Sequence, residues 1–266
     1  MFGGLKTMAF QTVNLYYFSG TGNTLLVVRK MKEILQLKGV PVTLHRIEVT
    51  DPSSVEASLP IGLAFPVAAQ GTYPFVLDFI KNLPQGQGTP IFMVDTLTMF
   101  SGGVVGPVRK IVKAKGYRPI GAKEIRMPCY LYPSKTDPEK NKKAIARALV
   151  KAGKYARQLY DRKSRWRRVP FLSDLMSKIS RSKRTWAMMR RFCKLRIITE
   201  KCTKCGLCVR LCPVGNIEMR ESYPLFKDKC VSCLRCVSFC PVQAISMAKN
   251  SKNPCLTVSA EELLED

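Results

Sequence analysis

Histidine is almost absent: the chain of 266 residues has one, His45. That removes histidine-based zinc sites, His acid–base pairs and serine triads from consideration. His45 sits in the alternating run "VTLHRI", where a structural or surface role is expected. Acidic residues are scarce, 19 against 44 Lys and Arg, for a formal charge of +25. Long apolar runs are missing as well. The longest, "LPIGLAFPVAA" over 59–69, is broken by prolines and a glycine. A membrane-spanning helix needs about 20 apolar residues, so none is expected. The N-terminal "MFGGLKTMAF" is too short in apolar residues for a secretory signal and reads as a loose lead-in.

Cysteine, by contrast, is abundant. Eight of the eleven fall in two tight clusters near the C-terminal end. With nothing to suggest export, this favours metal or cluster ligation in a reducing, cytoplasmic setting over disulfides. Cys129, Cys193 and Cys255 lie outside the clusters and read as buried or incidental thiols.

Positive charge is concentrated in the middle. Residues 1–135 hold 15 basic and 7 acidic residues, 136–200 hold 20 and 5, and 201–266 hold 9 and 7. Ahead of that block the pattern alternates strand and helix. Strands are expected at 11–18, at "VPVTLHRI", "LPIGLAF", "PIFMVDT" and "IGAKEIRM". Helices are expected at 24–38, 74–83, 105–115 and 137–162. Such alternation with short connections implies an α/β fold, a doubly wound parallel sheet with helices on both faces. Ligands then bind beyond the carboxyl ends of the strands, here at loops 19–24, 66–73 and 95–104.

The first of these loops is Ser19-Gly20-Thr21-Gly22-Asn23-Thr24. Glycines let the backbone curl close to a ligand, and the helix start presents N–H groups and a positive dipole end. Hydroxyls and an amide add neutral donors, which suits one phosphate monoester. A P-loop is ruled out by the missing lysine, and the dinucleotide fingerprint fails at Leu25. A plain glycine turn with a threonine cap is the bland alternative.

With this loop and five strands, residues 11–135 resemble the flavodoxin family, whose comparable loop holds the phosphate of FMN. The resemblance implies that Pro66, Val67 and Tyr73 on one side, and Thr96, Phe100, Ser101, Gly102 and Gly103 on the other, flank the flavin ring. Tyr73 and Phe100 would be the stacking residues. The family often has a tryptophan in the first of these loops, and this sequence has none there.

"CTKCGLCVRLCP" and "CVSCLRCVSFCP" are two full copies of C-x2-C-x2-C-x3-C-P. In this spacing three cysteines wrap one [4Fe–4S] cluster and the fourth reaches the other. Cys202, Cys205, Cys208 and Cys240 would therefore hold one cluster, and Cys230, Cys233, Cys236 and Cys212 the second. The segment 198–250 resembles bacterial-type two-cluster ferredoxins, small α+β domains.

The expected organisation is an FMN-binding domain over 1–162, a basic helical linker over 163–197, a ferredoxin domain over 198–250 and a tail over 251–266. The whole resembles flavodoxin–ferredoxin fusion proteins of anaerobes. That resemblance implies an electron carrier linking one-electron partners to a flavin. A reductase acting on a small acceptor such as a quinone is the alternative, and a non-redox binding protein is a third. The stretch 162–196 has 13 Lys or Arg against one acid, Asp174. Leu172, Leu175, Met176, Ile179, Trp186, Met189 and Cys193 share one helical face. It suits packing between the domains, docking of an acidic redox partner, or peripheral contact with an anionic membrane. Nucleic acid is not expected, because no reading motif accompanies the charge.

Overall fold

The structure is a computed structural model, and it describes residues 10–98, 103–128, 137–166, 182–247 and 256–265. Five strands form the first sheet: β1 (Val13–Tyr17), β2 (Val42–Arg46), β3 (Ile61–Pro66), β4 (Pro90–Leu97) and β5 (Arg118–Arg126). Their order is β2-β1-β3-β4-β5 and every neighbouring pair is parallel. This is the flavodoxin-like order among doubly wound sheets. β1, β3 and β4 are buried almost throughout. Runs such as "IGLAF" leave no polar face for water, so helices must cover both sides.

Helices α1 (Asn23–Gln36) and α4 (Pro138–Tyr160) cover one face, sharing a core of Leu25, Val28, Met31, Ala152, Tyr155 and Leu159. Helices α2 (Pro74–Asn82) and α3 (Val105–Ala114) cover the other, around Val76, Phe79, Val108 and Val112. Asp137 caps α4 by accepting from the N–H groups of Glu139 and Lys140, with Pro138 in the first turn. The outer strand β5 would leave an unpaired edge. The chain leaving α4 runs along it: Ser164 Oγ donates to Ile120 O (2.8 Å) and the Ala122 N–H donates to Arg165 O (3.3 Å). His45 stacks on Tyr16 with ring centroids 4.8 Å apart and reaches Asn14 Oδ1 at 3.1 Å, a structural role.

Of the expected linker 163–197, residues 167–181 lie outside the described residues, and with them Leu172, Leu175, Met176 and Ile179. Residues 183–192 form a helix, α5 (Lys183–Phe192), whose Ser182 cap accepts from the Thr185 N–H at 3.1 Å. The C-terminal module pairs β6 (Leu195–Ile197) with β9 (Ile245–Met247), and β7 (Ile217–Arg220) with β8 (Tyr223–Phe226), both antiparallel. Short helices α6 (Leu207–Leu211) and α7 (Arg235–Ser238) sit between them. The module is an internal repeat of 28 positions. Cys202 recurs as Cys230 and Cys212 as Cys240, and the strand pair β6/β7 recurs as β8/β9. Even the left-handed residues recur: Lys204 and Ser232, Gly206 and Leu234, Gly215 and Gln243 all have positive φ.

The last residues are more than a tail. Helix α8 (Ala260–Glu265) places Leu263 in the core shared with α1, and Glu262 meets Arg29 at 2.5 Å. Ser259 and Glu262 cap each other's N–H groups at 2.7 and 3.1 Å, a capping box.

Asp95, in β4, is fully buried, and neither carboxylate oxygen has a hydrogen-bond partner. Burial, with Glu124 adding repulsion, pushes its carboxyl well above the ordinary range. The native state thus keeps a proton that the unfolded chain releases near pH 4, roughly. Stability must fall as pH rises from about 4 to the native pKa, and stay lower beyond it. Asp95→Asn should therefore melt above the parent at pH 8, with the gap narrowing toward pH 5. A variant that melts below the parent at every pH would mean the carboxylate is ionised and partnered.

Candidate functional site

The loop between β1 and α1 is organised from within. Ser19 is fully buried, and its Oγ accepts from the N–H groups of Gly22 (3.1 Å) and Leu25 (3.3 Å). Its hydroxyl shapes the loop. Gly22 has φ 96° and opens the helix without a side-chain cap. A Cβ there would lie 2.6 Å from Val258 Cγ2, so both conformation and crowding demand glycine. A Cβ on Gly20 would lie 2.7 Å from the carbonyl oxygen of Cys233. The cysteine module therefore leans directly on this loop.

A cavity of about 240 Å³ opens beside it at the carboxyl ends of the strands. Of the expected ligand-contacting residues, Ser19, Gly20, Thr21, Asn23, Thr24, Pro66, Val67, Tyr73 and Thr96 line it. Gly22 and Gly103 do not: Gly22 is covered by Val258, and the Gly103 N–H ties the two side loops together through Gln70 O (2.8 Å). Phe100, Ser101 and Gly102 lie outside the described residues, as do Cys129 and Cys255. Thr24 and Thr96 hydroxyls join at 2.8 Å, and Asn23 Nδ2 donates to Pro128 O at 3.0 Å. Asn23 Oδ1 and Ser232 Oγ are buried at the cavity wall without partners. Buried orphans of this kind call for a polar ligand. Ala69 (φ 48°), in the wall, and its neighbour Gln70 (φ 64°) are the two central residues of a tight turn closed between Ala68 and Gly71, and both take left-handed angles without being glycine, a strain typical of ligand loops.

Two walls of this cavity were not legible beforehand. Trp186 and Met189 come from α5, and Val231, Ser232, Cys233 and Leu234 from the second cysteine motif. Tyr73 is engaged by other aromatics, edge-on to Phe18 (5.2 Å) and tilted against Trp186 (6.0 Å). The 66–73 loop has no tryptophan, but Trp186, more than a hundred positions later, stands in the same cavity wall. Only its place on the apolar face of 162–196 hinted at it.

The eight motif cysteines divide between two further cavities. Cys202, Cys205, Cys208 and Cys240 line one; Cys212, Cys230, Cys233 and Cys236 line the other. That is the crossed partition, with each fourth cysteine in the opposite group. Cys193, expected to be incidental, lines the second cavity too. Backbone N–H groups point at the sulfurs in matching pairs: Lys204 to Cys202 and Ser232 to Cys230 (both 3.4 Å), Asn216 to Cys212 (3.1 Å) and Ala244 to Cys240 (3.2 Å). Such donors favour thiolate and tune a bound cluster. Burial pushes the Cys208, Cys230 and Cys236 thiols up and that of Cys233 to about 12, so iron must displace their protons on binding.

Arg235 joins the two halves. It follows Cys233 by two positions, and its side chain is 2% exposed. Its Nε donates to Ser19 O at 2.9 Å, and its guanidinium lies 4.5 Å from the Phe18 ring centroid. Nη2 approaches Glu48 Oε1 at 2.7 Å, with Glu48 3% exposed. The two charges touch without hydrogen-bond alignment, because Nη2 and both Glu48 oxygens lack such a partner. The attraction is thus Coulombic, and strong for want of water.

Residues 195–218 and 223–246 each match the 4Fe-4S binding domain family. No curated protein matches the chain. Among solved structures, similarity is to a short-chain flavodoxin associated with a non-canonical PDU bacterial microcompartment (19% identity, TM-score 0.44, 57% of this chain and 99% of that one). Flavodoxin 2 from Bacillus cereus gives 16% and 0.43, covering 56% and 97%; reduced Megasphaera elsdenii flavodoxin gives 22% and 0.40, covering 52% and 98%. The strand order, rather than these likenesses, carries the fold of the N-terminal half.

Removing one member of a buried ion pair leaves the other charge stranded. Glu48→Ala should cost about 3–5 kcal/mol in chemical denaturation, while Glu48→Leu with Arg235→Met should recover most of it. A single-variant loss below about 1 kcal/mol would show that the pair is not what joins the halves.

Proposed function

We propose that this chain is an electron-transfer protein that binds one FMN in the cavity beside the 19–24 loop and two [4Fe–4S] clusters in the cysteine cavities. The observation that carries the reading is the shared wall. Residues 231–234 line both the loop cavity and the second cysteine cavity. The flavin supplies one- or two-electron chemistry and each cluster one-electron chemistry. The chain's residues position and tune them. Thr21, Thr24 and the loop N–H groups receive the phosphate, and Asn23 Oδ1 and Ser232 Oγ offer an acceptor and a donor to the polar edge of the ligand. Trp186 and Met189 shield the cavity from water. Cys233 and its neighbours give electrons a covalent route between the two sites.

The exposed face of α4 suggests the partner. Lys140, Lys143, Arg147, Lys151 and Lys154 recur at three- and four-residue steps and are all exposed. Such a cationic stripe fits an acidic redox protein and steers its approach. Among the described residues, no helix is long and apolar enough to cross a membrane.

Protein reconstituted without oxygen should hold about eight irons and one FMN. Cys212→Ala should damage the cluster of Cys230, Cys233 and Cys236 and spare the one nearer in sequence, as read by low-temperature electron paramagnetic resonance. Zinc in place of iron, or FAD in place of FMN, would refute the cofactor assignment. Loss of only the first cluster would refute the crossing. Rapid turnover of a quinone without any protein partner would favour the reductase reading over the carrier.

A further inference from the structure

The internal repeat supplies a comparison within one chain. The two copies place the same backbone N–H donors on their sulfurs: 3.4 Å to both Cys202 and Cys230, 3.1 Å to Cys212 and 3.2 Å to Cys240. Hydrogen bonding therefore treats the two cysteine groups alike. The position that opens the short helix differs in charge. Leu207 opens α6 and packs against the core of α1 and α4, whereas its counterpart 28 positions later, Arg235, opens α7. The first copy has cations of its own at Lys204 and Arg210, but both are exposed, where water and salt screen them.

Arg235 is buried and lines the cavity of Cys212, Cys230, Cys233 and Cys236. Its Nη1 donates to the carbonyl of Leu211, the residue before Cys212, at 3.4 Å. Burial pushes the Cys233 thiol up, and the Arg235 charge is the largest influence holding it down. Glu48, which balances Arg235, is not part of the cavity lining. The guanidinium is thus the nearer of the two charges to the cysteines, and its field is only partly cancelled there.

We propose that Arg235 makes the second cluster the easier of the two to reduce, so that electrons run through the chain from the first cysteine group toward the flavin cavity. The inference rests on the cofactor reading above. Burial alone would act the other way: Cys236 is buried and Cys205 exposed, and an enclosed site resists added negative charge. A cation in the same enclosed volume outweighs this, because the medium that penalises added charge also leaves the attraction unscreened. A one-electron donor protein meets the exposed first group. The electron reduces the cluster there, and its onward transfer reoxidises that cluster and reduces the second, with no bond made or broken.

The test is a redox titration of the fully loaded chain followed by electron paramagnetic resonance, with the second cluster's signal assigned by its loss in Cys212→Ala. In the parent the second cluster should have the higher potential. Arg235→Met with Glu48→Leu, which leaves no stranded charge, should lower the second cluster's reduced-to-oxidised ratio at fixed potential about tenfold, a shift of about 59 mV for one electron. Glu48→Gln removes the anion and keeps the cation, so it should shift the same potential upward. Arg235→Lys should stay close to the parent, and the first cluster should be unmoved in all three. A second cluster below the first in the parent, no shift or an upward shift in the double variant, or equal shifts of both clusters would overturn the proposal. A parent without two reducible clusters would overturn the cofactor reading itself; two clusters indifferent to Arg235 would overturn this inference alone.

Discussion

The contact on which the rest depends is the buried attraction between Arg235 and Glu48. Arg235 stands inside a cysteine motif, Glu48 just beyond the second strand of the sheet. Two such charges survive without water only because each offsets the other, and moving either half exposes an uncompensated ion to a low-dielectric surface. The same guanidinium holds the carbonyl of Ser19, and Ser19's hydroxyl holds the N–H groups of Gly22 and Leu25. One chain of contacts therefore runs from the cysteine module to the shape of the 19–24 loop. A change in charge beside Cys233 and Cys236 has a direct structural path to that loop.

Close approach follows from this junction. Gly20 leaves just enough room for the carbonyl of Cys233, and Gly22 for Val258. The C-terminal helix adds a brace from the other side through Leu263 and the Arg29–Glu262 pair. The loop is thus held between two segments distant in sequence, and rigidity at a ligand site lowers the reorganisation that binding demands. The internal repeat works in the same way. Its left-handed residues recur every 28 positions because each copy must turn its N–H groups toward its own sulfurs. In the second copy, Ser232 and Leu234 adopt those angles, and the same residues form the wall of the neighbouring cavity.

Charge is distributed on a different logic from packing. The solvent face of α4 carries its lysines in a stripe suited to encounter, whereas the cation buried at the junction of the two halves is an arginine, Arg235. Lysine, strongly hydrated and flexible, suits the first; arginine, planar and forked, suits the second.

Much of this was legible in the sequence. The strand–helix alternation, the glycine–hydroxyl loop and the two cysteine motifs are local patterns, and local patterns follow from backbone periodicity and ligand spacing. Each element appears within a few residues of its expected place. The sequence could not show that Trp186 would line the loop cavity, that Cys193 would reach the second cysteine cavity, or that a "tail" would brace α1. Nor could it distinguish Arg235 from 43 other basic residues. Ser19 and Arg235 are 216 positions apart, and no periodicity spans such a distance. Sequence alone determined which elements form and which residues bear chemistry. Tertiary structure decided which faces meet, because burial and Coulomb energy depend on the partner that each surface finds.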